Sequence, residues 1–359
     1  MNTRTVVLAG ALGALAAGRA AGQAAPPAPP APVLTAQHSG TTALLQAVSA
    51  VNERVVWVSG HRATWARTTD GGATWTPDSM TGPDAWLQFR DVHALSAQSA
   101  WLLAAGPGDS SRIYHTEDGG RHWALQFRNR DSSAFYDCLD FWDARRGIAV
   151  SDAVRGHMVI ITTDDGGATW RIMPDSAMPP ALPGEGSPAA SGTCLVVRHG
   201  GRAWFTTEAD SGARVYTTSD YGRTWHVAET PIAHGPASGV ASVAMLDDVH
   251  GFALGGRLLE PRDTSAAVAA TVDGGRTWTP APRVPFTGAV YGSALLRAPG
   301  VWLVAAGPGG LALAPAGTAA LAWQLLNPDN YWAVGASGSM AWAVGPGGRI
   351  TRIDARPRE

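Results

Sequence analysis

The chain contains no lysine; all 27 of its Lys-plus-Arg residues are arginine. Schiff-base lysines and the phosphate-binding lysine of a P-loop are thereby excluded. Charge of either sign is scarce, at 16% of residues against roughly 25% in an average domain. The net charge of −2 offers nucleic acid no long-range attraction. No helical pattern is evident, and no Gly-x-Gly-x-x-Gly lies between a strand and a helix, so a dinucleotide fold is not expected. The ten histidines show no His-x-x-x-His or similar spacing, so no metal or other cofactor is expected.

Glycine and proline are abundant, at 43 and 25 residues, as suits a loop-rich all-β protein. An octapeptide recurs five times: Thr68–Trp75, Thr116–Trp123, Thr163–Trp170, Thr218–Trp225 and Thr271–Trp278. Its pattern is Thr-x-Asp-x-Gly-x-Thr-Trp, with His122 once replacing the second Thr. The Asp-Gly and Gly-Gly pairs are tight-hairpin signals, because such turns need positive φ. Asp70, Asp118, Asp165, Asp220 and Asp273 can each accept hydrogen bonds from turn amides. Trp75, Trp123, Trp170, Trp225 and Trp278 each begin the next strand and bring an apolar face to the core. Most copies carry a single Asp, too few acidic residues for a calcium loop. The motif therefore reads as a turn lock, and it resembles the Asp-box, or bacterial neuraminidase repeat.

The spacing sets the architecture. The tryptophans step by 48, 47, 55 and 53 residues, and another 45 reach Trp323, where the motif has decayed. Periods near 40–50 suit a four-stranded propeller blade. In the first unit Leu45–Val51, Val55–Ser59 and Thr64–Thr68 lead into the turn, and the same order recurs downstream. The last unit, from Tyr331 to Ile353, has three strands where the others have four. An unpaired edge is a liability that closed folds remove, and Val33–His38 is the natural missing strand. The prediction is an all-β, seven-bladed propeller over residues 33–354, closed by its N-terminal strand, with a short tail at 355–359.

The segment before the propeller reads as a targeting sequence. Arg4, the apolar run Val6–Ala17 and the small residues Ala20-Ala21-Gly22 fit a secretory signal over residues 1–22. The run is too short to span a membrane comfortably. Residues 23–32 form a Pro-rich linker. A secreted or periplasmic, monomeric protein is expected, with no transmembrane span after signal removal.

Together the octapeptides, the signal and the seven units resemble the photosystem II stability/assembly factor family and its bacterial relatives. The stretch Gly108–Trp123 and the Trp-Ala-Val-Gly of Trp332–Gly335 and Trp342–Gly345 carry the likeness, which covers about Leu34 to Asp354. The decayed sixth motif and an insertion at Met178–Ser191 depart from it. The resemblance implies a non-enzymatic scaffold that binds a protein partner or assists assembly of an envelope or membrane complex. It also implies an arginine-rich patch near the central channel. The alternative is a sialidase-like exo-glycoside hydrolase, since sialidases carry Asp-boxes too. Such an enzyme needs an arginine cluster, a Tyr nucleophile and carboxylates, and the Arg-Ile-Pro that opens a sialidase site is missing.

Five short, similar turns on one face leave little variety for recognition. The partner site is therefore expected on the other face, on Arg90, Arg128, Arg130, Arg155, Arg214 and Arg257, gathered in part around the channel mouth. Guanidiniums so clustered would suit an acidic or carboxylate-bearing partner. Cys138 and Cys194 fall at matching positions in the innermost strands of adjacent predicted blades. Such positions are often too far apart for the Cα spacing of about 4.4–6.8 Å that a disulfide requires, so two free buried thiols are expected.

Overall fold

The computed structural model describes residues 32–265, 267–317 and 320–356. The proposed signal, nearly all of the linker and the last three residues of the tail lie outside them. The described residues form seven four-stranded antiparallel sheets around a common axis, a seven-bladed β-propeller. Blade 1 comprises Leu45–Ala50, Val56–Gly60, Thr64–Thr68 and Thr76–Ser79, from the channel outward. Blades 2 to 6 repeat that order, starting at Phe89, Tyr136, Leu195, Ser238 and Gly292. In blade 7 the strands Ala333–Ser337, Met340–Gly345 and Arg349–Asp354 are completed by Val33–His38, which pairs antiparallel with Arg349–Asp354. Among the described residues no helix is long and apolar enough to cross a membrane.

Burial explains the sequence pattern of the strands. The second strands Val56–Gly60 and Ala100–Ala104 are buried at every residue. Packed between neighbouring blades, they read as continuous apolar runs rather than alternations. The outer strands are exposed and polar, as in Thr76–Ser79. Indole N–H groups tie several neighbouring blades together: Trp57 donates to the Ser96 carbonyl (2.9 Å), Trp142 to that of Arg202 (2.8 Å) and Trp204 to that of Gly274 (2.8 Å), joining blades 1 to 2, 3 to 4 and 4 to 5. Nearer the axis, side chains of one inner strand accept amides from the next. Ala94 N–H donates to Ser49 Oγ (2.9 Å), Leu139 N–H to Asp91 Oδ2 (2.8 Å) and Val197 N–H to Asp140 Oδ2 (2.9 Å).

The octapeptide is the turn between third and outer strand, and its chemistry is as read. In the first copy Thr68 Oγ1 donates to Asp70 Oδ1 (2.8 Å) and accepts the Gly72 amide (2.9 Å). Asp70 accepts the Thr74 amide (2.9 Å) and hydroxyl (2.6 Å). Gly71 and Gly72 have φ of 76° and 87°, where a side chain is disfavoured. The same bonds recur at Asp165–Thr169, Asp220–Thr224 and Asp273–Thr277, and at Asp118 the His122 ring takes the place of the hydroxyl. The ring closure uses this turn: Gln37 of the N-terminal strand donates to the Gly71 carbonyl (3.2 Å) and accepts the Trp75 indole N–H (3.0 Å).

The two cysteines correct the sequence expectation. Cys138 and Cys194 are joined in a disulfide, with their Cα atoms 6.2 Å apart and both residues buried. Inner strands converge on the propeller axis, so matching positions of blades 3 and 4 come within bridging distance.

Candidate partner-binding groove

The six arginines singled out from sequence have four different fates. Arg214, at the start of a third strand, turns inward. Its guanidinium bonds Glu185 through Nε (2.9 Å) and Nη2, and donates to the Tyr216 hydroxyl (2.7 Å) and the Pro180 carbonyl (3.1 Å). Arg90, at the start of the blade 2 inner strand, is half-buried on Gln88 Oε1 (2.7 and 3.1 Å), and burial lowers its pKa. Arg257 pairs within its own loop, to Glu260 at 3.2 Å and Asp263 at 3.8 Å.

The other three gather. Arg128 ends the outer strand of blade 2, Arg130 follows in the connection to blade 3, and Arg155 sits at the hairpin between the second and third strands of blade 3. All three side chains are exposed and line one groove of about 620 Å³ between blades 2 and 3. Apolar side chains of Phe127, Tyr136, Val154, Val159, Trp170 and Ile172 form much of its wall, which Asp131 and Asp175 also line. Phe127 and Tyr136 pack edge to face at 5.1 Å, and Ile172 is 70% exposed. Asp131 faces Arg155 at 3.6 Å, a surface pair that contributes only about 0–1 kcal/mol. Arg155 adopts φ of 53°, held by the tight hairpin before Gly156. Sequence reasoning supplied the three charges but not the apolar wall. Ile172, two residues past the turn tryptophan, was the available signal.

The gathering point is this cleft and not the channel mouth, because the insertion covers the mouth. Residues 185–192 cross from blade 3 to blade 4 and touch most of the ring. The Gly186 amide donates to the Glu208 carbonyl (3.0 Å) and the Glu208 amide returns to Gly186 (2.8 Å). Ser187 Oγ donates to the Thr206 carbonyl (2.8 Å), and Ser191 Oγ to the Tyr291 carbonyl at the start of blade 6 (2.7 Å). Ala190 packs with Ala241, Ala289 and Tyr291. Gly192 lies so close to Asp91 of blade 2 that an added Cβ would stand 2.2 Å from its carboxylate.

A tyrosine beside a carboxylate, the pair a sialidase would use, does occur. Tyr216 O–H donates to Glu185 Oε2 (3.1 Å). The same constellation repeats in blade 2, where Tyr114 O–H donates to Asp84 Oδ2 (2.8 Å) and Arg112 bonds the same carboxylate. Glu185 is buried completely, and burial raises the Tyr216 pKa well above the usual phenol range. Recurrence at equivalent places, one of them sealed, marks these groups as latches between third strand and preceding loop.

A seven-bladed, disulfide-stapled propeller with an arginine-rimmed side groove is thus the class of protein that the fold defines. No protein-family model matches the chain, and no curated protein does. Among solved structures it is similar to YCF48 bound to a D1 peptide (17% identity, 89% of this chain and 96% of that one, TM-score 0.61). It is also similar to YCF48 from Cyanidioschyzon merolae (14%, 89% and 98%, TM-score 0.64). Virginiamycin B lyase from Staphylococcus aureus aligns comparably (13%, 90% and 99%, TM-score 0.61). At such identities the likeness shows the fold alone, a point underlined by a lyase standing beside a peptide-binding protein.

Proposed function

We propose that this chain is an exported, non-enzymatic scaffold that captures an acidic segment of a protein partner in the groove between blades 2 and 3, in the service of an envelope or membrane complex. The observation that carries the reading is the meeting of Arg128, Arg130 and Arg155 over an apolar wall. Three exposed guanidiniums attract and orient carboxylates, and the wall gives a neighbouring apolar side chain somewhere to be buried. Two further points support it. The similar YCF48 structure holds a D1 peptide, and a buried disulfide suits an oxidising compartment such as the periplasm.

Capture of the partner from native envelope by the immobilised protein tests the reading. Arg128→Glu with Arg155→Glu is expected to reduce capture at least about tenfold, the loss of one or two charge-assisted contacts, with little change in melting temperature. Undiminished capture by that variant would refute the groove as the site. The same preparation is expected to leave a fluorogenic sialoside intact, and turnover abolished by Tyr216→Phe would overturn the non-enzymatic reading.

A further inference from the structure

The groove between blades 2 and 3 carries acids of its own. Five charged side chains line it: Arg128, Arg130 and Arg155, with Asp131 and Asp175 among them. Three guanidiniums against two carboxylates leave a single positive charge in excess.

Asp131 is held in place without help from the arginines. Buried Asn129 closes the loop around it: its Nδ2 donates to the Asp131 and Ala134 carbonyls (2.9 and 3.0 Å), and its Oδ1 accepts the Asp131 amide (3.0 Å). The Asp131 carboxylate then accepts the Ser133 amide through Oδ1 (2.9 Å), and its Oδ2 stands 3.6 Å from Arg155 Nη2. Arg155 is fixed from the other side, at φ of 53° in a hairpin completed by Gly156 at 83°. An arginine adopts that backbone conformation only where its surroundings impose it. A carboxylate is thus built into the rim beside one guanidinium, whether or not a partner is present.

Arg128 and Arg155 stand at the blade-connection end of the groove, and Arg130 lies in the connection itself. Ile172, the most exposed of the apolar liners, lies in the blade 3 outer strand, nearer the face that carries the turn locks. One carboxylate directed at the arginines and one bulky apolar side chain laid against Ile172 therefore match the groove. A second carboxylate finds the excess charge already neutralised and meets Asp131 or Asp175, and like charges brought together across an interface oppose binding.

Taking this groove as the partner site, we propose that Asp131 and Asp175 are its specificity filter: the groove takes an extended protein segment that presents one carboxylate beside a bulky apolar side chain, and discriminates against a run of acidic residues. Binding of two end-capped heptapeptides to the full chain, read by fluorescence anisotropy of an uncharged dye, tests this. Each peptide contains one phenylalanine; one carries a single adjacent glutamate and the other carries three. The wild type is expected to bind the single-glutamate peptide at least as tightly as the other, a comparison that needs no variant. Asp131→Asn with Asp175→Asn keeps an oxygen for the Ser133 amide. It is expected to tighten the three-glutamate peptide about tenfold and the single-glutamate peptide less than about threefold. Tighter wild-type binding of the three-glutamate peptide, or an equal shift of both peptides in the variant, overturns the filter while leaving the groove as the site. If neither peptide binds the wild type, or if Arg128→Glu with Arg155→Glu leaves their binding unchanged, groove and filter are refuted together.

Discussion

Substitution of Arg214 by methionine separates a structural arginine from a recognition arginine. Glu185 is fully buried and accepts bonds from Arg214 Nε (2.9 Å) and Nη2, Thr207 Oγ1 (2.6 Å), the Leu182 amide (2.8 Å) and the Tyr216 hydroxyl (3.1 Å). Removing Arg214 leaves that carboxylate buried without its counter-charge, which costs about 3–5 kcal/mol. With about 2.1 cal/mol/K of unfolding entropy per residue, a propeller of this length loses roughly 1.5 °C per kcal/mol, so Arg214→Met should lower the melting temperature by about 4–7 °C. Adding Glu185→Leu removes the stranded charge and should restore more than half of the loss, because apolar replacement of a whole buried pair is often near neutral. Thermal denaturation of the four proteins of this cycle, followed by circular dichroism, gives the coupling directly. The reasoning fails if Arg214→Met melts like the wild type, or if the double variant is as unstable as the two single losses added together.

Replacing both cysteines by alanine should destabilise the protein by about 4 kcal/mol on the chain-entropy model for a loop of this length, and the oxidised wild type should weigh two hydrogens less than its reduced form by mass spectrometry. The turn carboxylates should matter at low pH. The hydroxyl and amide of Thr74 hold Asp70 down at about 2, and Thr169 holds Asp165 there likewise. Their contribution is therefore present above the ordinary carboxylate range and lost as pH falls toward 2, so Asp70→Asn and Asp165→Asn should flatten the acid limb of a melting-temperature profile. Deleting Val33–His38 should open the ring, leaving Arg349–Asp354 an unpaired edge, and size-exclusion chromatography should then show self-association.

The parts legible in sequence were those written in local chemistry. Thr68, Asp70, Gly71 and Gly72 specify a turn within five residues, and five copies at blade-length intervals specify the ring. The missing fourth strand of blade 7 followed from counting. What escaped depended on contacts between blades. Cys138 and Cys194 are 56 residues apart, and only convergence of inner strands on the axis brings them together. Arg214 and Arg128 look alike in sequence, yet one meets Glu185 from an insertion, and the other is exposed and forms no ion pair among the described residues. The insertion showed in the sequence only as a departure from the repeat, and nothing there told that its Glu185 would be sealed against Arg214.

These differences have one origin. Where the repeat is faithful, each blade solves the same packing problem with the same residues, and the resulting face carries one turn five times over. A repeated solution carries stability but no address, because every blade offers a partner the same surface. An address requires places where repetition breaks. On the opposite face it breaks twice in the same region of the ring. The outer strand of blade 3 shrinks to Arg171–Ile172, leaving Ile172 and the apolar wall open beneath Arg128 and Arg155. The chain then takes its long detour through residues 173–192 across the channel. Groove and insertion thus lie on one stretch of chain, the short outer strand of blade 3 and the detour that follows it, so shortening the detour should disturb both while the five turn locks of the other face remain intact.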